Sequence, residues 1–231
     1  MMTNLILDGN NLVNAAFYVL VKDGQATESK LIEIQSLFKK MISNLGNQFN
    51  TTNIFLAWDG PRGSSRRKEL LTEYKANRGE RNPYLTQALA LCKENNYKQF
   101  CIPYSEGDDT INALVQILDG DNIIVSSDKD FIQCVQRGYA SKLYNFINKS
   151  FREIPEHDII LEKAIVGDTS DNIKGIHGIG PKKFLKLLEN NFKELTQEQQ
   201  DIIDKNCIII DLNKNPKIDY IWKSIIDILA K

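Results

Sequence analysis

Short apolar runs alternate with amphipathic helical patterns along the first two thirds of the chain, and this alternation constrains the fold most. Residues Leu31 to Leu45 show the apolar steps of three and four that mark one face of a helix. Strands that alternate with helices predict an α/β fold with a mostly parallel central sheet, covered on both faces. The predicted strands are Leu5–Leu7, Ile54–Trp58, Gln99–Ile102, Asn122–Ser126 and Lys142–Phe146, and further helices are predicted at Leu85–Asn95 and Asp109–Leu118.

The strand signal fades from about Pro155, where helical patterns take over. We therefore divide the chain into a catalytic α/β domain at 1–154 and a helical subdomain at 155–231. The predicted helices of the second part are Pro155–Val166, Pro181–Asn190, Gln197–Ile210 and Ile218–Leu229.

Charge and cysteine content exclude several classes of protein. The formal net charge of the 231 residues is −1, so any nucleic-acid surface must come from local clustering of cations. Four cysteines without close spacing and only two histidines argue against a zinc site or a disulfide framework. The chain has no apolar run of membrane-spanning length and no signal-peptide pattern, so we expect a cytoplasmic protein with no membrane contact.

Acidic residues follow the predicted strands at the points where the strands end. The carboxyl ends of parallel strands share one edge of a sheet, so these side chains are expected to lie together. Any one of them alone is explained as a helix N-cap, but the set would repel itself unless cations lay among its members. Mg²⁺ binds such carboxylates, and two ions can hydrolyse a phosphodiester. The residues are Asp8, Asp59, Glu106, Asp108, Asp109, Asp128 and Asp130, with a further pair at Asp168 and Asp171 in VGDTSDN.

A basic segment, GPRGSSRRKELLTEYKANRGER, follows Asp59 directly. On a helix, Arg67, Tyr74, Lys75 and Arg78 would share much of one face. A solvated surface helix is the alternative, but the position beside the acidic edge favours binding of a polyanion. Tyr74 is then available to stack on a base. Arg66 and Lys68 are further candidate DNA contacts.

The stretch KGIHGIGPKKF forms a second cationic signal. Its glycines permit close backbone approach, and Pro181 suits the first position of a helix whose free amide groups can hold a phosphate. A helix–turn–helix with packing glycines is the alternative. The candidate residues for sequence-independent binding of the DNA backbone are Gly175, Gly178, Gly180, Lys182 and Lys183.

Taken in order, these motifs resemble those of the structure-specific 5′-nuclease family, which includes flap endonucleases and the 5′-nuclease domains of bacterial DNA polymerases. The motifs are LDG, WDG, R-x6-YKANR, EGDD, SSDKD, GDTSDN and GIHGIGPKK, and they cover nearly the whole chain. LTEYKANR and NCIIIDL are most similar to compact phage-type flap endonucleases. The resemblance implies a PIN-like (Rossmann-like) body, a helical arch at about 60–84, and a helix–three-turn–helix at about 164–190 that binds duplex DNA and a K⁺ ion.

The resemblance also assigns roles to residues. Its arch residues fall on Arg67, Tyr74, Lys75 and Arg78. One departure is Leu71, where polymerase-type members often have Tyr, and the short arch leaves open whether a 5′ end is threaded. With no polymerase domain following, a free-standing nuclease is expected. The metal-binding acids of the family fall on Asp8, Asp59, Glu106, Asp108, Asp109, Asp128, Asp130, Asp168 and Asp171.

The expected function is that of a 5′–3′ exonuclease and flap endonuclease in DNA replication or repair. It would use two or more Mg²⁺ ions, with Mn²⁺ as a substitute, and would act as a monomer on DNA with a 5′ flap or junction. RNA primers in RNA–DNA hybrids and replication proteins are further expected partners. One alternative is a catalytically weak junction-binding module of the same fold, against which the complete set of acids argues. Another is a PIN-type single-strand ribonuclease, against which the glycine-rich stretch argues.

Overall fold

The computed structural model describes residues 2–230, and a six-stranded sheet forms its body. The strand order is β3-β2-β1-β4-β5-β6, with β1 to β5 parallel and β6 antiparallel to β5. The strands are β1 Thr3–Asp8, β2 Ile54–Trp58, β3 Lys98–Cys101, β4 Asp121–Val125, β5 Lys142–Asn145 and β6 Ser150–Phe151. The predicted α/β fold with a mostly parallel sheet is confirmed. Since β1 pairs with both β2 and β4, the strand order reverses at β1, where α/β sheets bind their ligands.

Helices cover both faces of the sheet. Alternate residues of β1 explain this: Leu5 and Leu7 pack into one apolar cluster with α1, α2 and α4, whereas Ile6 packs into the other with α5. The helices of this half are α1 Gly9–Leu20, α2 Glu28–Gln48, α3 Ser65–Leu70, α4 Pro83–Cys92, α5 Gly107–Ile117 and α6 Ile132–Gln136.

Within residues 2–230, four α-helices and one short 3₁₀-helix, Leu212–Lys214, follow the sheet. The α-helices are α7 Ile159–Val166, α8 Pro181–Glu189, α9 Gln197–Ile210 and α10 Ile218–Leu229. Between α7 and α8, two-residue strands β7 Gly167–Asp168 and β8 Ile173–Lys174 pair as a small antiparallel hairpin. Buried side chains of α7, α8 and α10 belong to the same apolar cluster as α5. Within residues 2–230, no helix is long and apolar enough to cross a membrane.

The segment between β2 and α4 differs from the predicted helical arch. Its one helix, α3, ends at Leu70, and turns follow through Arg78. Lys75 has a φ of 56°, in the left-handed region, which a continuing right-handed helix cannot contain. The prediction that Arg67, Tyr74, Lys75 and Arg78 share one face of a helix is therefore wrong. We call residues 71–81 the strap, because they lie across the acidic edge of the sheet.

Candidate active site

A cleft of about 250 Å³ lies at the carboxyl edge of the sheet, where β1, β2 and β4 end. Seven of the predicted acids line it, as do Lys75, Arg78 and Arg81 of the strap. The parallel strands bring these acids together, as expected from their common direction. The seven acids are Asp8, Asp59, Glu106, Asp108, Asp128, Asp130 and Asp171.

One side of the cleft, formed by Asp8, Asp59 and Asp128, is strongly electronegative. Asp8 accepts hydrogen bonds from the Asn11 amide at 3.0 Å and from Ser126 Oγ at 2.9 Å, so it also caps α1 as the alternative interpretation proposed. Burial raises the pKa of Asp8 to about 7 against the effect of these bonds, and the charges of Asp59 and Asp128 add to the rise. Among the ion pairs of residues 2–230, only Arg81 reaches these three acids, 3.8 Å from Asp59.

The opposite side is neutralised by Arg67, which comes from α3. Its guanidinium donates to Glu106 Oε2 at 2.5 Å and to Asp109 Oδ1 at 3.0 Å, and it lies 3.5 Å from Asp108. Although burial opposes the charge, Asp108 and Asp109 hold the pKa of Arg67 well above its ordinary value. Arg67 therefore fixes the orientation of three acids at the start of α5.

Asp109 departs from the predicted set of metal ligands. Its carboxylate is 1% exposed and does not line the cleft. Both of its oxygens accept hydrogen bonds from Arg67, and one also accepts from the Glu106 amide. Asp109 is thus the buried partner of Arg67 and closes the first turn of α5, which corrects its assignment.

The strap places two further side chains against the acids. The Tyr74 hydroxyl lies 3.0 Å from Glu106 Oε2 and 2.9 Å from Asp171 Oδ2, and its side chain is 1% exposed. The prediction that Tyr74 stacks on a base is therefore wrong, because both ring faces are buried. Lys75 Nζ donates to Glu106 Oε1 at 2.6 Å, and Arg78 Nη2 donates to Asp171 Oδ1 at 2.8 Å. The strap residues converge on the acids without sharing a helix.

A third group of charges surrounds Lys163, a residue of α7 that the sequence analysis missed. Its ammonium donates to Asp130 and, at 2.7 Å, to Asp168 Oδ2. Asp168 does not line the cleft; its second oxygen accepts from the amide and hydroxyl of Ser170. Since Lys163 stands in an apolar helix, only its place five residues before Asp168 could have drawn attention to it.

The donor set of the cleft fits a hard divalent cation. Carboxylate and amide oxygens line it, and no His or Cys does. Among residues 2–230, no three Asp, Glu, His or Cys side chains are gathered closely enough to hold an ion between them. A hard divalent cation that keeps several of its waters needs only one or two carboxylates as direct ligands.

The glycine-rich stretch between α7 and α8 separates into two parts. A Cβ added to Gly178 or Gly180 would meet no heavy atom within 4 Å, and both residues are exposed, as are Lys182 and Lys183. Gly178 also has a φ of +75°, which favours glycine. At Gly175, by contrast, a Cβ would lie 2.3 Å from the carbonyl carbon of Val166. Gly175 is therefore a packing glycine, which corrects its assignment as a DNA contact.

Arg66 is not the predicted DNA contact. It is buried, and its Nη2 donates to the carbonyls of Ile208 at 2.7 Å and Lys214 at 2.6 Å. It thus anchors α3 to the carboxyl end of α9, where the helix dipole favours a cation.

Lys68, in contrast, is exposed and lines a cavity of about 500 Å³ on the outer side of the strap. The cations of this cavity are Arg62, Lys68, Lys75, Arg78, Arg81 and Lys93, and no sequence motif pointed to Lys93.

The sequence of this chain is similar to those of 5′-3′ exonucleases and flap endonucleases. Residues 3–164 match the family model described as "5'-3' exonuclease, N-terminal resolvase-like domain". A 5′-3′ exonuclease of Mycoplasmopsis pulmonis is 32% identical over 219 residues, which cover 88% of this chain and 71% of that protein. The flap endonuclease Xni of Shewanella denitrificans is 30% identical over 211 residues, covering 84% of this chain and 80% of its own length.

Solved structures share the fold over almost the entire chain. The zinc-bound 5′-exonuclease of phage T5 superposes with a TM-score of 0.73 at 22% identity, covering 98% of this chain and 99% of its own. A T5 flap endonuclease in a pseudo-enzyme-product complex with DNA and metal ions gives a TM-score of 0.72 at 22% identity. The superposition covers 99% of this chain and 100% of the T5 chain. At this level of identity the likeness is one of fold.

Proposed function

Since this chain belongs to the 5′-3′ exonuclease family, it is a metal-dependent nuclease, and we propose that it cleaves DNA as a 5′–3′ exonuclease and flap endonuclease. The observation that carries the proposal is the cleft, in which seven carboxylates meet at the reversal point of the sheet. A cation-lined strap lies across the same cleft, so a phosphodiester can be held where the acids are.

The metal ions of the proposal are Mg²⁺ or Mn²⁺. Asp8 and Asp128 would hold one ion, because neither belongs to an ion pair within residues 2–230, and Asp59, 3.8 Å from Arg81, would bind a water of the same ion. Glu106, Asp108, Asp130 and Asp171 line the rest of the cleft and would complete the set. When bound, two divalent ions activate a water and stabilise the leaving oxygen of a phosphodiester. Asp168 would act indirectly, because it shares Lys163 with Asp130 and does not line the cleft.

The protein's own cations would orient the scissile phosphate. Lys75 and Arg78 line both the cleft and the outer cavity, so they are placed to contact a phosphate that passes between the two. Arg78 offers a planar fork for phosphate oxygens and Lys75 a mobile point charge. Arg67 and Tyr74 are positioning residues in this proposal, because both are buried and act through the acids that they bind.

Duplex DNA would be held away from the cleft by the loop before α8. Gly178 and Gly180 leave space for a phosphate at the amino end of α8, and Lys182 and Lys183 add charge there. A K⁺ ion in the loop between α7 and α8 is part of the same proposal. The T5 flap endonuclease complex with DNA and metal ions supports a DNA substrate. Lys68 would contribute to the single-strand side, in the outer cavity.

We extend the proposal to the biological setting. RNA–DNA hybrids would be cleaved as well as DNA, which suits removal of RNA primers during replication. The protein would act as a monomer in the cytoplasm, together with replication proteins. Bacterial relatives that are named 5′-3′ exonuclease or flap endonuclease support this setting.

One cleavage experiment tests the function. Purified protein is given a 5′-flap duplex, a nicked duplex, a blunt duplex and an RNA–DNA hybrid, each with Mg²⁺ and with EDTA. We expect Mg²⁺-dependent cuts near the single-strand junction and short products from the nicked duplex. A protein that binds the flap tightly but leaves it intact in Mg²⁺ and in Mn²⁺ would be a junction-binding module, and cleavage of single-stranded RNA alone would indicate a PIN-type ribonuclease.

A further inference from the structure

We propose that Lys163 is an internal counterion that occupies part of the metal site, so that one of the two ions binds only by displacing its ammonium group from Asp130 and Asp168. The inference rests on the proposed function, because it concerns the same divalent ions. It adds an order of binding: one ion binds at Asp8 and Asp128, which belong to no ion pair within residues 2–230, and the other competes with a lysine.

The contacts of Lys163 support this role. Its ammonium bridges two carboxylates that are 38 residues apart in sequence, and one of them, Asp130, lines the cleft. The three side chains are only 10–18% exposed, so their charges are poorly screened by water. Without a cation between them, the carboxylates of Asp130 and Asp168 would repel each other, because both contact the same ammonium group. Lys163 therefore does, within the protein, what a divalent ion would do.

The acids of the cleft differ in whether a protein cation already pairs with them. Asp128, two residues before Asp130, lines the cleft but belongs to none of the ion pairs within residues 2–230, and neither does Asp8. An ion that binds Asp8 and Asp128 displaces no protein cation. An ion that binds Asp130 must compete with an ammonium already in hydrogen-bond contact. The two ions should consequently differ in affinity.

Lys163 is also suited to move. It lies in the last turn of α7, and its unbranched stem carries a single charged group that can swing aside without moving the helix. Arg67, which neutralises the other acids, is held by hydrogen bonds to Glu106, Asp109 and the carbonyl of Ile209. Removal of Arg67 would require α3 to separate from α9 and from the start of α5, so Lys163 is the more readily displaced cation.

Chemical modification of the wild-type protein tests displacement directly. Reductive methylation with formaldehyde and a borane reagent is followed at each lysine by mass spectrometry, in EDTA and with saturating Mg²⁺ or Ca²⁺. We expect Lys163 to be protected in EDTA and to react several-fold more when the ions are present. Exposed Lys223 on α10 is the internal reference and should react equally in both conditions. Continued protection of Lys163 while calorimetry shows two bound ions would overturn the inference and leave the proposed function standing.

Calorimetric titration of Lys163→Met with Mg²⁺ and Mn²⁺ provides the second measurement, with Lys223→Met as the control. Displacement predicts that the weaker ion binds at least tenfold more tightly to Lys163→Met, while the tighter ion is unchanged. The variant should also melt at a lower temperature than wild type in EDTA and regain the difference when Mg²⁺ is added. Equal tightening of both ions would indicate a distant charge effect, and unchanged constants would indicate no role; either result overturns the inference. A wild-type protein that binds no divalent ion would end the proposed function as well.

Discussion

At the scale of the residue, Asp128 allows the metal assignment to be separated from folding. Its side chain is exposed and belongs to no ion pair within residues 2–230. Its Oδ1 accepts a hydrogen bond from the Asp130 amide at 2.9 Å. An Asn at this position can still accept that bond through its amide oxygen. Asp128→Asn should therefore fold normally and lose cleavage by roughly two orders of magnitude, as when one electrostatic group of an active site is removed.

The measurement for Asp128→Asn is the flap-cleavage rate in Mg²⁺, with circular dichroism as the check on folding. Asp227→Asn, at an exposed acid of α10, is the matched control and should cleave like wild type. Wild-type cleavage by Asp128→Asn would remove this carboxylate from the metal site.

Lys75 gives a second prediction at this scale, because it lies between the acids and the outer cavity. If it contacts the scissile phosphate, Lys75→Ala should lower the single-turnover cleavage rate far more than it lowers duplex affinity. Lys182→Ala is the opposite case, since an exposed lysine at the start of α8 should affect affinity more than rate. Both constants are measured on one flap substrate, with affinity determined in Ca²⁺. Equal losses of rate and affinity in Lys75→Ala would make Lys75 an ordinary binding residue.

At the scale of the element, the loop before α8 should bind duplex phosphates without divalent ions. A Val at position 178 would fill the open space and would need an unfavourable positive φ. Gly178→Val should therefore bind every duplex more weakly, by roughly tenfold, whatever its sequence. Gly138→Val is a close control, because Gly138 has a φ of +73° and equally open surroundings but lies after α6.

Affinity of these glycine variants for a flap substrate is measured in EDTA at two salt concentrations. Wild-type affinity should fall as salt rises, because phosphate contacts release counterions. If Gly178→Val and Gly138→Val bind equally well, the loop is not the duplex anchor, and the basic strap would take that role.

The junction between α6 and α9 gives a pH-dependent prediction. Arg137, directly after α6, donates both Nη groups to Asp211 at 2.7 and 2.8 Å, and Asp211 also accepts the Asn213 amide at 2.8 Å. Although burial opposes ionisation, these bonds hold the pKa of Asp211 below its ordinary value. Because the folded-state pKa is lowered, this stabilisation is complete above about pH 4 and is lost as the pH falls further.

Arg137→Met should accordingly unfold at a higher pH than wild type during acid titration. Circular dichroism between pH 2 and 6 in EDTA measures the midpoint, and Lys205→Met, at an exposed lysine of α9, serves as the control. An unchanged acid midpoint in Arg137→Met would show that the Asp211 pair does not contribute to the stability of this junction.

At the scale of the whole molecule, the buried core continues across the boundary placed at 154. Ile165 of α7 and Ile221 and Ile225 of α10 are buried in the same cluster as Ile111 and Leu114 of α5. We therefore propose that this boundary separates functions and not folding units. The full chain should melt in one calorimetric transition, and a fragment of residues 1–154 should not fold, because one face of its sheet would lose its cover. Two transitions, or a stable 1–154 fragment, would contradict this proposal.

Much of the molecule could be predicted from the sequence because the governing patterns are local. Alternation and helical periodicity placed β2 at Ile54–Trp58 and α10 at Ile218–Leu229, where the structure has them. Parallel strands share a direction, so acids that follow them had to meet at one edge, as Asp8 and Asp59 do.

The tertiary structure alone decided how those acids are paired. Asp109 turns inward because Arg67 reaches it from α3, and Asp130 meets Lys163 because α7 packs against α6, which begins two residues after Asp130. The strap bends at Lys75, where a helical pattern predicted a straight face, since its side chains bind acids on separate elements. The residue with which a charged side chain pairs depends on distances across the fold, which the spacing of residues in the sequence does not contain. For a buried charged side chain, this pairing determines whether the side chain binds a ligand or stabilises the fold.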